Sequence, residues 1–152
     1  MKKLFIILTF ATAGCQQSGG PLTSADIDAI KKVIIDFSQA RSTISPDLAN
    51  GYVDDVISMP PHAPINVGKQ QTIAFHSAPE PKINSFIVNS EEIDGRDDLA
   101  YSRGSFVFKA LLNDSIEIND NGKYLILLKK QADGSWKVTR EIWNSDFPIA
   151  GQ

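Results

Sequence analysis

The sequence predicts an α+β domain in which N-terminal helices pack against an antiparallel sheet. Three observations carry that expectation. Ile27, Ile30, Val33, Ile34 and Phe37 recur at spacings of three and four, which is one apolar face of a helix. From Ile83 onward the chain reads as four extended segments divided by turn residues. Asp133-Gly134, between the last two, is the strongest hairpin signal in the chain. The 152 residues, 42% apolar and 22% charged, suit one domain with a sizeable core. Those values exclude full disorder, collagen-like repeats and coiled coil.

The first helix covers residues 24–41. Thr23 followed by Asp26 has the pattern of a capping box with an acidic third position. Ser45-Pro46-Asp47 starts a second, short helix with proline at its first position. It carries Leu48 and Tyr52, and Asp54-Asp55 closes it as a solvated end. Val56 to Met59 predicts a brief strand. Pro60-Pro61-His62-Ala63-Pro64 is a loop, because three prolines do not fit a central strand. Gly68 to Ser77 predicts a third short helix with Ile73 and Phe75 facing inward. Strands follow at residues 83–93, 99–112, 122–130 and 135–145, with turns at Asp94-Gly95, Asn113-Asp114 and Asp133-Gly134.

A two-residue type I′ turn at Asp133-Gly134 sets Tyr124 opposite Trp143 and Ile126 opposite Glu141. A two-residue turn at Asn113-Asp114 sets Arg103 opposite Tyr124 and Tyr101 opposite Ile126, a register that a bulge near residues 119–122 would break. One face then gathers Tyr101, Arg103, Tyr124, Ile126, Glu141 and Trp143. The other gathers Ala100, Ser102, Gly104, Phe106, Phe108, Leu125, Leu127, Val138 and Ile142. Both faces carry large apolar groups, unlike a sheet with one side in water. Helices cover one face, and a second copy of the chain is expected on the other, as a homodimer through the outer sheet face.

The first fourteen residues read as an address. Lys2 and Lys3 precede an uncharged run from Leu4 to Ala13, too short to span a bilayer and of the length of a signal-peptide core. Thr12-Ala13-Gly14-Cys15 resembles the signal of bacterial lipoproteins, with Thr12 where that family prefers Leu, and places the chain's single cysteine at the lipidation position. The resemblance implies a triacylated Cys15 and export to the envelope. Gln16 after the cysteine implies the periplasmic side of the outer membrane. Residues 15–22 form a polar linker, residues 23–148 the domain and residues 149–152 a tail. Removing residues 1–14 leaves 13 basic against 18 acidic side chains, a charge of −5. Such a domain is a poor partner for nucleic acid.

Three segments carry a further resemblance: residues 52–61 (YVDDVISMPP), residues 122–138 from Gly122-Lys123-Tyr124 to Trp136-Lys137-Val138, and Arg140-Glu141-Ile142-Trp143-Asn144-Ser145-Asp146. Together they resemble nuclear-transport-factor-2-like (NTF2-like) domains, in the DUF4440 or SnoaL-like branch described as ketosteroid-isomerase-like. The resemblance implies a cone, in which a strongly curved sheet wraps a long helix and the open end holds a pocket. It puts the steroid-isomerase oxyanion acid at Ile126, the base at Met59 or Pro60 and the helix tyrosine near Phe37, none of which can do that proton chemistry.

The expected pocket comprises Phe37, Tyr52, Met59, Phe75, Tyr101, Arg103, Tyr124, Ile126, Glu141 and Trp143. Arg103 and Glu141 are the candidate catalytic pair, an ionic clamp with Glu141 as base, set against a structural pair that satisfies itself. Tyr101, Tyr124 and Trp143 stack on a flat ligand or simply pack the core. His62 and His76, the only histidines, match no ligand spacing with Glu80 and read as surface residues, so no metal is expected. No phosphate loop or dinucleotide fingerprint is present, so no cofactor is expected. The functional expectation is a membrane-tethered domain binding a small, partly apolar ligand. The alternatives are an isomerase, dehydratase or hydrolase on a small organic substrate using Glu141 and Arg103, and an envelope interaction protein without ligand.

Overall fold

The computed structural model describes residues 19–79 and 81–147. The signal segment, Cys15, Glu80 and the tail lie outside the described residues. Helix α1, Ser24–Thr43, starts at the full capping box: Thr23 Oγ1 accepts from the Asp26 amide at 3.2 Å, and Asp26 Oδ2 accepts from the Thr23 amide at 3.1 Å. It ends where Ile44 turns left-handed, φ 51°, and the Ser45 amide bonds Ala40 O at 2.8 Å. A 3-10 helix, Pro46–Gly51, follows. The chain is already extended at Tyr52, so strand β1 is Tyr52–Met59 and takes in Tyr52, Asp54 and Asp55, which the sequence assigns to a helix. The β-branched Val53, Val56 and Ile57 explain the preference. Strand β2, Asn66–Val67, and helix α2, Lys69–His76, lead to four long strands: β3, Lys82–Arg96; β4, Leu99–Leu112; β5, Ile116–Lys130; β6, Trp136–Ser145.

The six strands form one sheet in the order β2-β1-β6-β5-β4-β3. All neighbours are antiparallel except β1 and β6, so the sheet is mixed rather than purely antiparallel. Register shifts in β3 after Ile83 and after Ser90, and another where β5 meets β6, add local twist. The core lies between α1 and the concave face, around Ile30, Ile34, Tyr52, Val56, Leu128, Trp136 and Val138.

All three turn expectations need correction. Asp94-Gly95 is not a turn: Gly95 pairs with Ala100 within the β3–β4 ladder, and the chain turns at Asp97-Asp98, with Asp97 left-handed, φ 59°. Leu112 pairs with Ile116, so the β4–β5 loop has three residues, Asn113 and Asp114 left-handed and Ser115 in addition. The extra residue moves Tyr124 from Arg103 to Gly104 and inverts β4. Ala100, Ser102, Gly104, Phe106 and Phe108 therefore point inward, while Tyr101 and Arg103 point outward. In the β5–β6 hairpin only Gly134 is left-handed, φ 84°, and its amide bonds Gln131 O at 2.9 Å. This is a type I turn closed by a glycine, not a two-residue type I′ turn. It shifts the register by one, and the bulge at Thr139 shifts it back. Tyr124 consequently does face Trp143 and Ile126 does face Glu141, whereas Val138, expected outside, is in the core.

At the end where α1 begins, Asp26 is 8% exposed and accepts from Lys130 Nζ at 2.7 Å and from Trp136 Nε1 at 3.1 Å. The Lys130 bond, then Thr23 and Trp136, hold its carboxyl well below the usual carboxylate range. Because the folded value is depressed, this contribution is complete above the unfolded value of 3.8 and fades as pH falls through the folded one. Asp26→Asn should flatten the acid side of the stability profile, read as the melting temperature between pH 6 and pH 2 (roughly the window in which a depressed carboxylate titrates). An acid slope unchanged by the substitution would contradict the assignment. Residues 19–22, the end of the expected linker, are held at the same end. Pro21 bridges Arg96, and the Gly20 amide donates to Asp97 Oδ1 at 2.8 Å.

Candidate functional site

The C-terminal half of α1, helix α2 and the concave face of the sheet enclose a cavity of about 230 Å³. Seven of the ten residues expected in the pocket line it: Phe37, Tyr52, Phe75, Tyr124, Ile126, Glu141 and Trp143. Phe86, Phe106 and Phe108 complete a largely aromatic wall. Met59, level with Ile142 on the parallel ladder, does not line it. Tyr101 and Arg103 lie on the opposite face, where both bind Glu92 and Arg103 also meets Glu91. The expected Arg103–Glu141 pair therefore does not form, and the extra turn residue Ser115 is the reason.

Glu141 is instead paired from the helical side. His76, the last residue of α2, is 5% exposed, and its Nε2 lies 2.8 Å from Glu141 Oε1. The Tyr52 hydroxyl donates to Glu141 Oε2 at 2.8 Å. Ser58, fully buried, sits beside Glu141 on the parallel ladder. Burial is the largest influence on Glu141 and opposes its charge, but His76 and the Tyr52 hydroxyl, both hydrogen-bonded to it, outweigh it and hold the carboxyl below its ordinary value. Burial, and then Glu141, push the Tyr52 hydroxyl well up, so it stays a donor. An ionised carboxylate only accepts, so the shared proton sits on His76 Nε2. In neutral His76 this leaves Nδ1 as the lone-pair nitrogen, and no described residue hydrogen-bonds it. The ring is fixed by Tyr52, stacked at 6.2 Å and 15°, by Trp143 at 5.5 Å and by the edge of Phe37 at 5.3 Å.

The expectation that His76 is a surface residue is thus overturned. Its signal was present: His76 follows Thr72 by four and Ile73 by three, the stripe of α2 that is turned inward. Arg41 was missed as well. It follows Phe37 by four on the cavity side of α1 and lines the cavity, and its Nη1 is buried without a hydrogen-bond partner. Burial lowers its affinity for the proton, and no acid among the described residues pairs with it.

A curved sheet closed round one long helix, with a cavity at the far end of that helix, defines the NTF2-like α+β cone. Solved structures of that fold superpose on most of the chain. A ketosteroid isomerase-like protein from Erwinia carotovora atroseptica matches with TM-score 0.74 and 22% identity, over 83% of this chain and all of its own. An NTF2-like protein with a cystatin-like fold from Novosphingobium aromaticivorans matches with TM-score 0.70 and 12% identity, over 83% of this chain and 85% of its own. An NTF2-like superfamily protein from Salmonella enterica serovar Typhimurium gives 0.68 and 12%, over 82% and 94%. At these identities the likeness is one of fold. No protein-family model and no curated protein matches the sequence.

Proposed function

We propose that the domain binds a small, flat, partly apolar organic molecule in its cone. The observation that carries this is the aromatic cavity of about 230 Å³ with a few convergent polar groups, His76, Arg41 and Tyr124, in its wall. A cavity of about 150 Å³ holds benzene, so the size suits one or two rings rather than four. Phe75, 38% exposed, marks where the cavity meets solvent. In this reading Cys15 carries the lipid anchor, the domain works in the bacterial envelope, and a homodimer covers Leu125, Val107 and Ile142 on the outer face.

The test is native mass spectrometry of residues 16–152 purified gently from the producing cell, followed by ligand-observed NMR with one- and two-ring fragments. The expected result is a dimer that carries or takes up one small molecule per chain. A chain that takes up none of the fragments overturns the binding reading, and a bare monomer overturns the outer-face dimer.

The His76–Glu141 dyad favours a second reading, an enzyme of the isomerase or dehydratase type. A carboxylate fixing Nε2–H and leaving Nδ1 as base is the arrangement general-base catalysis requires. Arg103, on the other face, has no part in it. His76→Gln separates the two readings: a receptor keeps its ligand, whereas an enzyme keeps the ligand and loses turnover by about a hundredfold or more.

A further inference from the structure

We propose that the molecule this cavity accepts is an acid, and that Arg41 is the residue that selects its carboxylate. The inference rests on the binding reading above and adds the ligand's charge to it. Arg41 lies in the last turn of α1, one turn beyond Phe37, and lines the cavity. A guanidinium carries its charge at any working pH and offers five donors in a flat fork. Here it is half-buried, its Nη1 is shut off from solvent, and that nitrogen reaches no acceptor. The helix C-terminus favours a cation near this position, but it leaves Nη1 unsatisfied.

The two acids that line the same cavity have other partners. Glu141 is taken by His76 and Tyr52. Asp120, which also lines the cavity, accepts from the Ser145 hydroxyl at 2.7 Å. A buried donor without acceptor is a standing cost to the fold. A carboxylate entering the cavity would supply the missing acceptor and the counter-charge together, in the bidentate geometry the two groups share. The aromatic wall, Phe37, Phe86 and Trp143 among it, would hold the ring to which that carboxylate is attached.

The experiment compares matched pairs that differ in charge but hardly in shape: benzoate with benzamide, and 2-naphthoate with 2-naphthamide. Dissociation constants are measured by calorimetry on the wild-type chain, on Arg41→Gln and on Arg41→Lys. The expected result is that the acids bind the wild type about tenfold or more tighter than the amides, the scale of one charge-assisted hydrogen bond. Arg41→Gln should erase that preference while leaving the amides unchanged, and Arg41→Lys should keep part of it. Without ligand, Arg41→Gln should melt no lower than the wild type, because the charge it removes has no partner. Equal binding of acids and amides overturns the proposal and leaves the binding reading intact. Binding of neither overturns both. An Arg41→Gln chain that melts far lower or does not fold assigns the guanidinium to structure and overturns the proposal as well.

Discussion

Glu141→Ala should lower the free energy of unfolding by roughly 3–5 kcal/mol, the scale for deleting one partner of a buried pair. The substitution takes away the one acceptor that the His76 Nε2–H and the Tyr52 hydroxyl share. Both residues are almost fully buried, so neither can turn to solvent. Glu141→Gln should cost far less, about 1–2 kcal/mol. The amide oxygen still accepts from Tyr52, and the amide NH2 can donate to Nε2 if His76 moves its proton to Nδ1. Urea unfolding gives both magnitudes, and nitrogen NMR of His76 reports the tautomer. The glutamine variant should thus stay folded and hold its ring proton on Nδ1. Equal stabilities for Glu141→Ala and wild type would show that the three side chains do not form the network described.

Gly104→Ala and Gly122→Ala should each cost about 3 kcal/mol or more, at the upper end of overpacking. A Cβ on Gly104 would overlap the Asn89 carbonyl of β3 and press on the Tyr124 ring. A Cβ on Gly122 would overlap the Asn144 carbonyl of β6 and lie 2.7 Å from Phe106. Backbone oxygens cannot move aside as side-chain tips do, so the strands themselves must part. Gly104 pairs with Ser90, next to the register shift at Glu91, where β3 closes on β4. Gly51 is the control, because nothing lies within 4 Å of its added Cβ. Gly51→Ala should change stability by no more than about 0.5 kcal/mol. Denaturation midpoints that are alike for all three variants would remove the glycines from any part in shaping the sheet.

What could be read from the sequence follows the range of the interaction. The capping box of α1, its apolar stripe and the limits of β4 are local, and they stand as expected. The facing of β4 depends on one residue in the loop before β5. Asn113-Asp114 is a valid turn dipeptide, yet Ser115 joins the loop and turns Arg103 out and Phe106 in. The facing of Glu141 came out as expected for a different reason from the one assumed. A loop one residue longer and a bulge at Thr139 offset each other, and no local pattern announces either. His76 and Arg41 stayed hidden because their burial is set by elements distant in the chain: Glu141 lies 65 residues after His76. Polar residues on the inward stripe of a helix are the signal that would have marked both.

With Cys15 lipidated as proposed, the hold that Asp97 has on Gly20 would also fix an orientation. Gly19 is four residue steps from Cys15, and extended chain advances about 3.5 Å per step, so a lipid on Cys15 could lie no more than roughly 14 Å from that point. The β3–β4 turn would then sit against the headgroups. From Ser24, near this point, to Arg41 at the cavity the α1 axis runs about 25 Å at 1.5 Å per residue. The cone would stand on the bilayer closed end down, its mouth turned away from the lipid and toward solutes in the aqueous space beyond.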